Sequence, residues 1–353
     1  MTVISLGTPH IRMRPAPEID RPQSPFLIDK FGRRAVDLRV SLTDRCNLRC
    51  SYCMPADGLD WMPDSDRLTD TEIVRLVGIA VRQLGIRDVR FTGGEPLLRR
   101  GLESIVALVA KLRPRPRISL STNGIGLAPR ARRLAAAGLD RVNVSLDTLR
   151  PDRYLRITHR DRLFDVLAGL AAAKAAGLYP VKLNTVLLRG VNDDEAPSLL
   201  AFAMAEGYEL RFIEQMPLDA QHNWDRTTMV EARETLRNLR AHFRLTANSK
   251  ARGSAPAEVW LVDGGPGKVG VIASVTHPFC GDCNRTRLTA DGQLRSCLFS
   301  DTETDLRSLL RRGCDDDEIA RLWRNTMWAK APGHGINQAG FLQPSRPMNA
   351  IGG

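Results

Sequence analysis

Six short apolar runs rich in β-branched and leucyl residues recur at 35–42, 88–93, 117–122, 141–147, 181–188 and 209–215. Helical stretches separate them, and several close on a glycine: Gly85, Gly138, Gly177 and Gly207. Strands of this composition suit a sheet covered on both faces. A small-residue helix that stops at glycine just before the next strand is the punctuation of parallel βα units. Six units in series predict an α/β protein built on an incomplete (β/α)6 TIM-type barrel, two units short of the full eight. From pattern alone, a doubly wound sheet fits equally. The first helix is expected to start after Thr69, which forms a capping-box pattern with Glu72. After a further helical stretch near 228–244 the texture changes at about Asn248, becoming rich in Gly, Pro and turn residues. The expected organisation is a flexible extension over 1–29, a barrel over 30–247 and a smaller C-terminal domain over 248–353.

Cysteine placement narrows the chemistry. Six of the seven cysteines fall into two groups, with Cys314 left over. An odd count, tight spacing and the absence of a secretory apolar segment speak against a disulfide scaffold and for metal binding in a reducing compartment. Cys46, Cys50 and Cys53 have the spacing CxxxCxxC and follow the first expected strand directly. Three thiolates on one loop hold three irons of a [4Fe-4S] cube and leave the fourth iron open to a chelating ligand. A mononuclear zinc would want a fourth protein ligand, and none lies nearby in sequence. This motif resembles that of the radical S-adenosylmethionine (SAM) superfamily. Gly93-Gly94-Glu95 at the end of the second expected strand looks like that superfamily's GGE motif. Its glycines admit close backbone approach, and its carboxylate suits an ammonium partner.

The second group, Cys280, Cys283 and Cys297, has the spacing CxxC-x13-C. By itself it also fits zinc, completed by His277, Asp282 or Cys314. Its context, residues 279–287 followed by 294–299, closely resembles the MoaA family, the GTP 3′,8-cyclases of molybdenum-cofactor biosynthesis. Residues 37–55 and the terminal Gly352-Gly353 agree with it, and the likeness runs from about residue 30 to 353. The resemblance implies a lyase with two [4Fe-4S] clusters and SAM, the second cluster meeting the guanine of GTP. It places Arg39, Arg90, Ser121, Lys182, Arg285, Thr286 and Arg287 on GTP. It places Tyr52, Gly94, Ser145 and Met216 on SAM, with Glu95 and Arg211 close by. Gly352 and Gly353 are expected to support catalysis from the barrel mouth, and no residue is assigned as a general acid or base. A low-potential flavodoxin- or ferredoxin-type donor is implied, with cyclic pyranopterin monophosphate synthase downstream, and a homodimer is admitted. Among radical SAM enzymes with an auxiliary cluster, peptide-modifying maturases are the alternative, although their C-terminal domains usually carry more than three cysteines.

Composition agrees with these expectations. The formal charge of +11 calls for an anionic partner. The 5% aromatic content is thin for stacking nucleic acid, so none is expected as a partner. No apolar run reaches the roughly 20 residues of a membrane helix, so the protein is read as cytoplasmic and without a membrane partner. The segment 264–270 mimics a phosphate loop, but Val262 and Val269 stand where Gly and Ser or Thr belong. It reads as a turn between strands. His222 and His334 have no spacing partner and read as surface or loop residues.

Overall fold

Each of the six apolar runs forms a parallel strand in the computed structural model, which describes residues 21–352. Residues 1–20 of the expected extension, and Gly353, lie outside the described residues. A small hairpin, β1 (Leu27–Ile28) and β2 (Arg34–Ala35), precedes the sheet. The strands are β3 (Asp37–Ser41), β4 (Asp88–Thr92), β5 (Arg117–Thr122), β6 (Arg141–Ser145), β7 (Lys182–Val186) and β8 (Glu209–Ile213). They pair in chain order. The helices that follow them are α1 (Asp70–Gln83), α2 (Leu102–Ala110), α3 (Ala131–Ala137), α4 (Pro151–Thr158), α5 (Leu163–Ala175), α6 (Ala196–Glu206) and α7 (Ala232–Arg240). The Thr69–Glu72 capping box is formed in both directions at the start of α1. Helix α4, absent from the sequence expectations, starts with Pro151 in its first turn, where a missing N–H costs nothing.

The C-terminal third joins the same sheet. It contributes β9 (Leu245–Ala247), β10 (Glu258–Val262), β11 (Lys268–Ile272), β12 (Arg285–Leu288), β13 (Gln293–Arg295) and β14 (Thr304–Asp305), with α8 (Leu306–Arg311), α9 (Asp316–Trp328) and α10 (Met348–Ile351). Strand β11 lies parallel beside β8, at one edge of the six-stranded arc, and β12 lies parallel beside β3, at the other. The chain over 273–284 therefore runs from one edge of the open barrel to the opposite one. The segment resembling a phosphate loop is the turn of the antiparallel β10–β11 hairpin. Among the described residues no helix is long and apolar enough to cross a membrane.

Alternate residues of each strand have different fates. Leu38, Val40, Val89, Phe91, Ile118, Leu120, Val142 and Val144 belong to the buried core beneath the helices. Such side chains each contribute about 1.5–3 kcal/mol. Their neighbours Arg39, Arg90, Ser121, Ser145, Asn184 and Arg211 line a central cavity instead. A complete TIM barrel fills that space with branched apolar side chains. Here the space stays open, with these polar and charged side chains set among apolar ones such as Ile213, Met216 and Phe299.

Helix α9 anchors β12. Trp323 is fully buried, and its Nε1 donates to the Thr286 hydroxyl at 3.1 Å. Replacing Trp323 with Ala should destabilise the fold by about 3–5 kcal/mol, because the large void cannot collapse against a strand. Thermal unfolding checks this, and an unchanged melting temperature would contradict the anchoring role of α9.

Candidate active site

A cavity of about 370 Å³ occupies the barrel interior and is lined by all six grouped cysteines. The first trio sits on the loop leaving β3. Turn hydrogen bonds from Cys53 N and Met54 N to Cys50 O, at 2.8 and 3.1 Å, tighten its second half. Arg49 Nη1 holds the carbonyls of Cys46 and Leu48, both at 2.8 Å. The glycine pair after β4 lets this loop close against the sheet. Gly94 N donates to Thr43 O at 2.7 Å and Glu95 N to Arg45 O at 2.8 Å. A Cβ on Gly94 would stand 2.3 Å from Arg45 O, and one on Gly93 2.4 Å from Thr43 O. Gly93 also takes φ +146°, open to glycine. These glycines serve the approach of one backbone to another.

Burial pushes the Cys46 thiol up to about 11 and the Cys53 thiol up to about 12, and Cys50 is raised well above its ordinary value. Cys50 also feels Asp147, Cys53 and Cys46. Three thiols so placed would ionise against a strongly positive centre, as metal binding requires. Among the described residues no three His, Cys, Asp or Glu side chains converge as a single metal ion demands. A tetrahedral mononuclear site brings its sulfurs within about 4 Å of one another. A cube instead spreads its thiolates over separate corners. The trio, ringing open space on a loop, fits that donor geometry.

Glu95 is fully buried beneath the loop and takes hydrogen bonds from Leu97 N, Thr122 Oγ1 and Asn123 N at 2.7–2.9 Å. Burial raises its carboxyl to about 7, although these donors oppose the shift. It does not line the cavity. Tyr52, Gly94, Ser145 and Met216 all do. The Tyr52 hydroxyl donates to Asp147 Oδ2 at 2.7 Å, and Val186 N donates to Asp147 Oδ1 at 2.9 Å. Burial raises the Asp147 carboxyl to about 6. Asp147, a cavity residue, was missed by the sequence reasoning because a lone Asp at a strand end reads as turn chemistry.

The second trio lies on and beyond the chain that crosses the barrel opening. Of the zinc-completing candidates, His277 faces Glu258 at 3.4 Å and Cys314 lies in the turn between α8 and α9. Neither they nor Asp282 line the cavity. Burial pushes the Cys283 thiol up, but the charges of Lys330 and Arg285 outweigh it and bring it down to about 7. Burial raises Cys280. Arg33, paired with Asp29 at 2.6 Å, fixes this region by donating to the carbonyls of Cys280, Ala331 and Pro332. His334 also lines the cavity, with its Nε2 3.1 Å from Ser274 O and its ring 4.9 Å from that of Phe299. Like Arg33 and Lys330, it carried no local spacing signal.

Cations crowd the floor. Register places Arg287, Arg39 and Arg90 side by side on β12, β3 and β4, where strands lie about 4.8 Å apart. Burial and neighbouring guanidinium groups lower Arg287 to about 9 and hold Arg90 well below its ordinary value. Burial likewise lowers Arg211 to about 10. Asp37 approaches Arg39 at 3.6 Å, and Glu209 pairs with Lys182 at 2.5 Å. Arg39, Arg90, Ser121, Arg211, Arg285 and Arg287 line the cavity. Lys182 and Thr286 do not, and the Thr286 hydroxyl faces α9. Arg287 Nη1 donates to Gly352 O, which brings the chain after α10 into the mouth. Gly352 takes φ +85°, and a Cβ there would stand 2.8 Å from Thr92 Cγ2.

Comparison with known proteins agrees with this geometry. The radical SAM superfamily model matches residues 40–203, and the molybdenum cofactor synthesis C model matches 208–336. The chain is 66% identical over 328 residues to a GTP 3′,8-cyclase of Streptomyces coelicolor, covering 93% of this chain and 96% of that one. It is 62% identical over 353 residues to one of a Mycobacterium species, covering 100% of both. Against GTP 3′,8-cyclase 2 of Mycobacterium tuberculosis it is 59% identical over 360 residues, again covering 100% of both. The SAM-bound crystal structure of Streptococcus suis SuiB shares the fold at TM-score 0.57 and 11% identity, over 88% of this chain and 69% of that one. Likeness of this extent over the full length means that the chain belongs to the GTP 3′,8-cyclase family of the radical SAM superfamily, which works with a [4Fe-4S] cluster and SAM.

Proposed function

We propose that the chain converts GTP to (8S)-3′,8-cyclo-7,8-dihydroguanosine 5′-triphosphate, the first step of molybdenum-cofactor biosynthesis. Cys46, Cys50 and Cys53 hold the first cluster, and Cys280, Cys283 and Cys297 hold a second. The observation that carries this reading is that both trios line one cavity whose floor bears crowded, incompletely neutralised cations. When bound, the first cluster and SAM would supply the one-electron chemistry that activates the C3′–H bond of the ribose for closure onto C8 of guanine.

The residues position and insulate. Tyr52, Gly94, Ser145 and Met216 seat SAM, with Tyr52 held in place by Asp147. Glu95 acts through the loop it braces, since its oxygens are taken by protein donors. Arg39, Arg90, Ser121, Arg285 and Arg287 receive the triphosphate, with Arg211 beside them, where charge-assisted hydrogen bonds are strongest, and Lys182, held by Glu209 outside the cavity wall, adds positive charge from behind. Thr286 seats β12 on α9 and so sets the direction of its two arginine neighbours. The electron comes from a low-potential flavodoxin- or ferredoxin-type donor in the cytoplasm, and the product passes to cyclic pyranopterin monophosphate synthase.

Three measurements test this. Anaerobically reconstituted protein should hold about eight irons, and replacing Cys46, Cys50 and Cys53 together by Ala should leave about four and no SAM cleavage. One zinc and four irons in the unaltered chain would refute the second cluster. Arg285→Ala or Arg287→Ala should each weaken GTP binding by about 1.5–3 kcal/mol by titration, with SAM binding nearly unchanged. Unaltered GTP affinity in both would remove the triphosphate from this floor. Deleting Gly352 and Gly353 should abolish cyclisation while iron content and GTP affinity stay near normal. Turnover at the full-length rate would reduce the Arg287–Gly352 contact to packing.

A further inference from the structure

Lys330 lies just past the end of α9 and is only 3% exposed. Its ammonium donates to the carbonyls of Arg285 and Cys283, at 2.9 and 3.4 Å, and reaches Cys283 Sγ at 3.3 Å. No carboxylate pairs with it among the described residues. Burying an ammonium among dipoles alone costs several kcal/mol unless an anion compensates. The contacting atom able to carry that negative charge is the Cys283 sulfur. Ligation by iron keeps this sulfur in its thiolate form.

The placement is rigid. Trp323, seven residues earlier on α9, is locked to Thr286 of β12. Lys330 in turn is tied to the carbonyl of Arg285, the first residue of β12. The side chain thus spans from just past the end of α9 to the start of β12. The first trio is set mainly among carboxylates: Cys50 there feels Asp147, Cys53 feels Asp219, and Cys46 feels Glu95, opposed in part by Arg49.

We propose that Lys330 is a positioning residue for the second trio: its charge is the counter-ion of the ligated Cys283 thiolate and raises the reduction potential of the cluster held there. The inference rests on the second cluster proposed above. The direction follows from charge. Reduction adds an electron, and a fixed cation beside a ligating sulfur stabilises the more negative state. Hydrogen bonds to sulfur and local net charge are among the quantities that set such potentials. A lysine that merely tied the chain after α9 to β12 through two carbonyls would leave the potential unmoved.

The test uses the full chain with Cys46, Cys50 and Cys53 replaced by Ala, so that one cluster remains. This parent is compared with the same chain carrying Lys330→Met or Lys330→Arg, all reconstituted anaerobically. Iron is counted, and dithionite titrations with redox mediators are followed by electron paramagnetic resonance. Lys330→Met should keep about four irons and shift the midpoint to more negative potential. Lys330→Arg, which keeps the charge, should shift it less. An unmoved midpoint in Lys330→Met, or equal shifts in both variants, overturns the proposal. Iron lost in Lys330→Met but kept in Lys330→Arg supports it, because charge is then what retains the ligand. Iron lost in both overturns it, because shape is then what matters. A parent chain without iron refutes the second cluster itself, a result separable from any effect of Lys330.

Discussion

A layer of positive charge inside the barrel governs how the rest of the molecule is arranged. Arg287, Arg39 and Arg90 sit on adjacent strands in register, and Arg141, Lys182 and Arg211, on β6, β7 and β8, are close enough to act on these cations or on one another. Two unit charges 8 Å apart at an effective dielectric constant of 20 repel by about 2 kcal/mol. Asp37 and Glu209 answer Arg39 and Lys182. Arg141 keeps a buried Nε without a partner. An interior of this kind cannot be packed dry like that of an eight-stranded barrel, and it forces a cavity where branched apolar side chains would otherwise sit. Its stability depends on the apolar outer faces of the same strands.

Topology then brings the chemistry to that charge. The six-stranded arc is open, and β11 and β12 extend its two edges. The chain between them must cross the opening, and it carries Cys280 and Cys283 across with it. The first trio reaches the same space from the other side, because Gly93 and Gly94 allow the loop after β3 to press directly on the end of β4. Two cysteine groups more than 200 residues apart thus line one cavity, as the length of the crossing chain and the missing Cβ atoms require.

Much of this was legible in the sequence, for physical reasons. Strands such as Asp88–Thr92 combine an apolar face for the helices with Arg90 on the other, so both the strand and the residue it turns to the cavity announce themselves. The cysteine motifs are local and were equally readable. The pairing of β11 with β8 and of β12 with β3 was not, because neither strand carries a local mark of its distant partner. Arg33, Asp147 and Lys330 escaped notice, and His334 was read as an ordinary surface or loop residue, for a related reason. Each is a single polar residue whose partners lie far along the chain, and only burial beside a thiol, a tyrosine or a carbonyl gives it meaning. Thr286 shows the reverse limit. The motif placed it with its arginine neighbours, yet strand alternation turns its hydroxyl to Trp323.

The two trios share a cavity but not an electrostatic setting. Around the first, burial and the nearby carboxylates of Asp147, Glu95 and Asp219 all favour the neutral thiol. Metal arriving there must displace protons that the site holds firmly. Around Cys283 the cations of Lys330 and Arg285 favour the thiolate instead. The same guanidinium groups face the cavity that the triphosphate is proposed to enter. Arg285, which reaches toward the Cys283 sulfur at 3.8 Å, would therefore stand between a ligand of the proposed second cluster and the triphosphate. Charge that faces the cavity thus also acts on the Cys283 thiol. The barrel floor and the second cysteine loop are in this sense one electrostatic unit, and a substitution in either should be felt in the other.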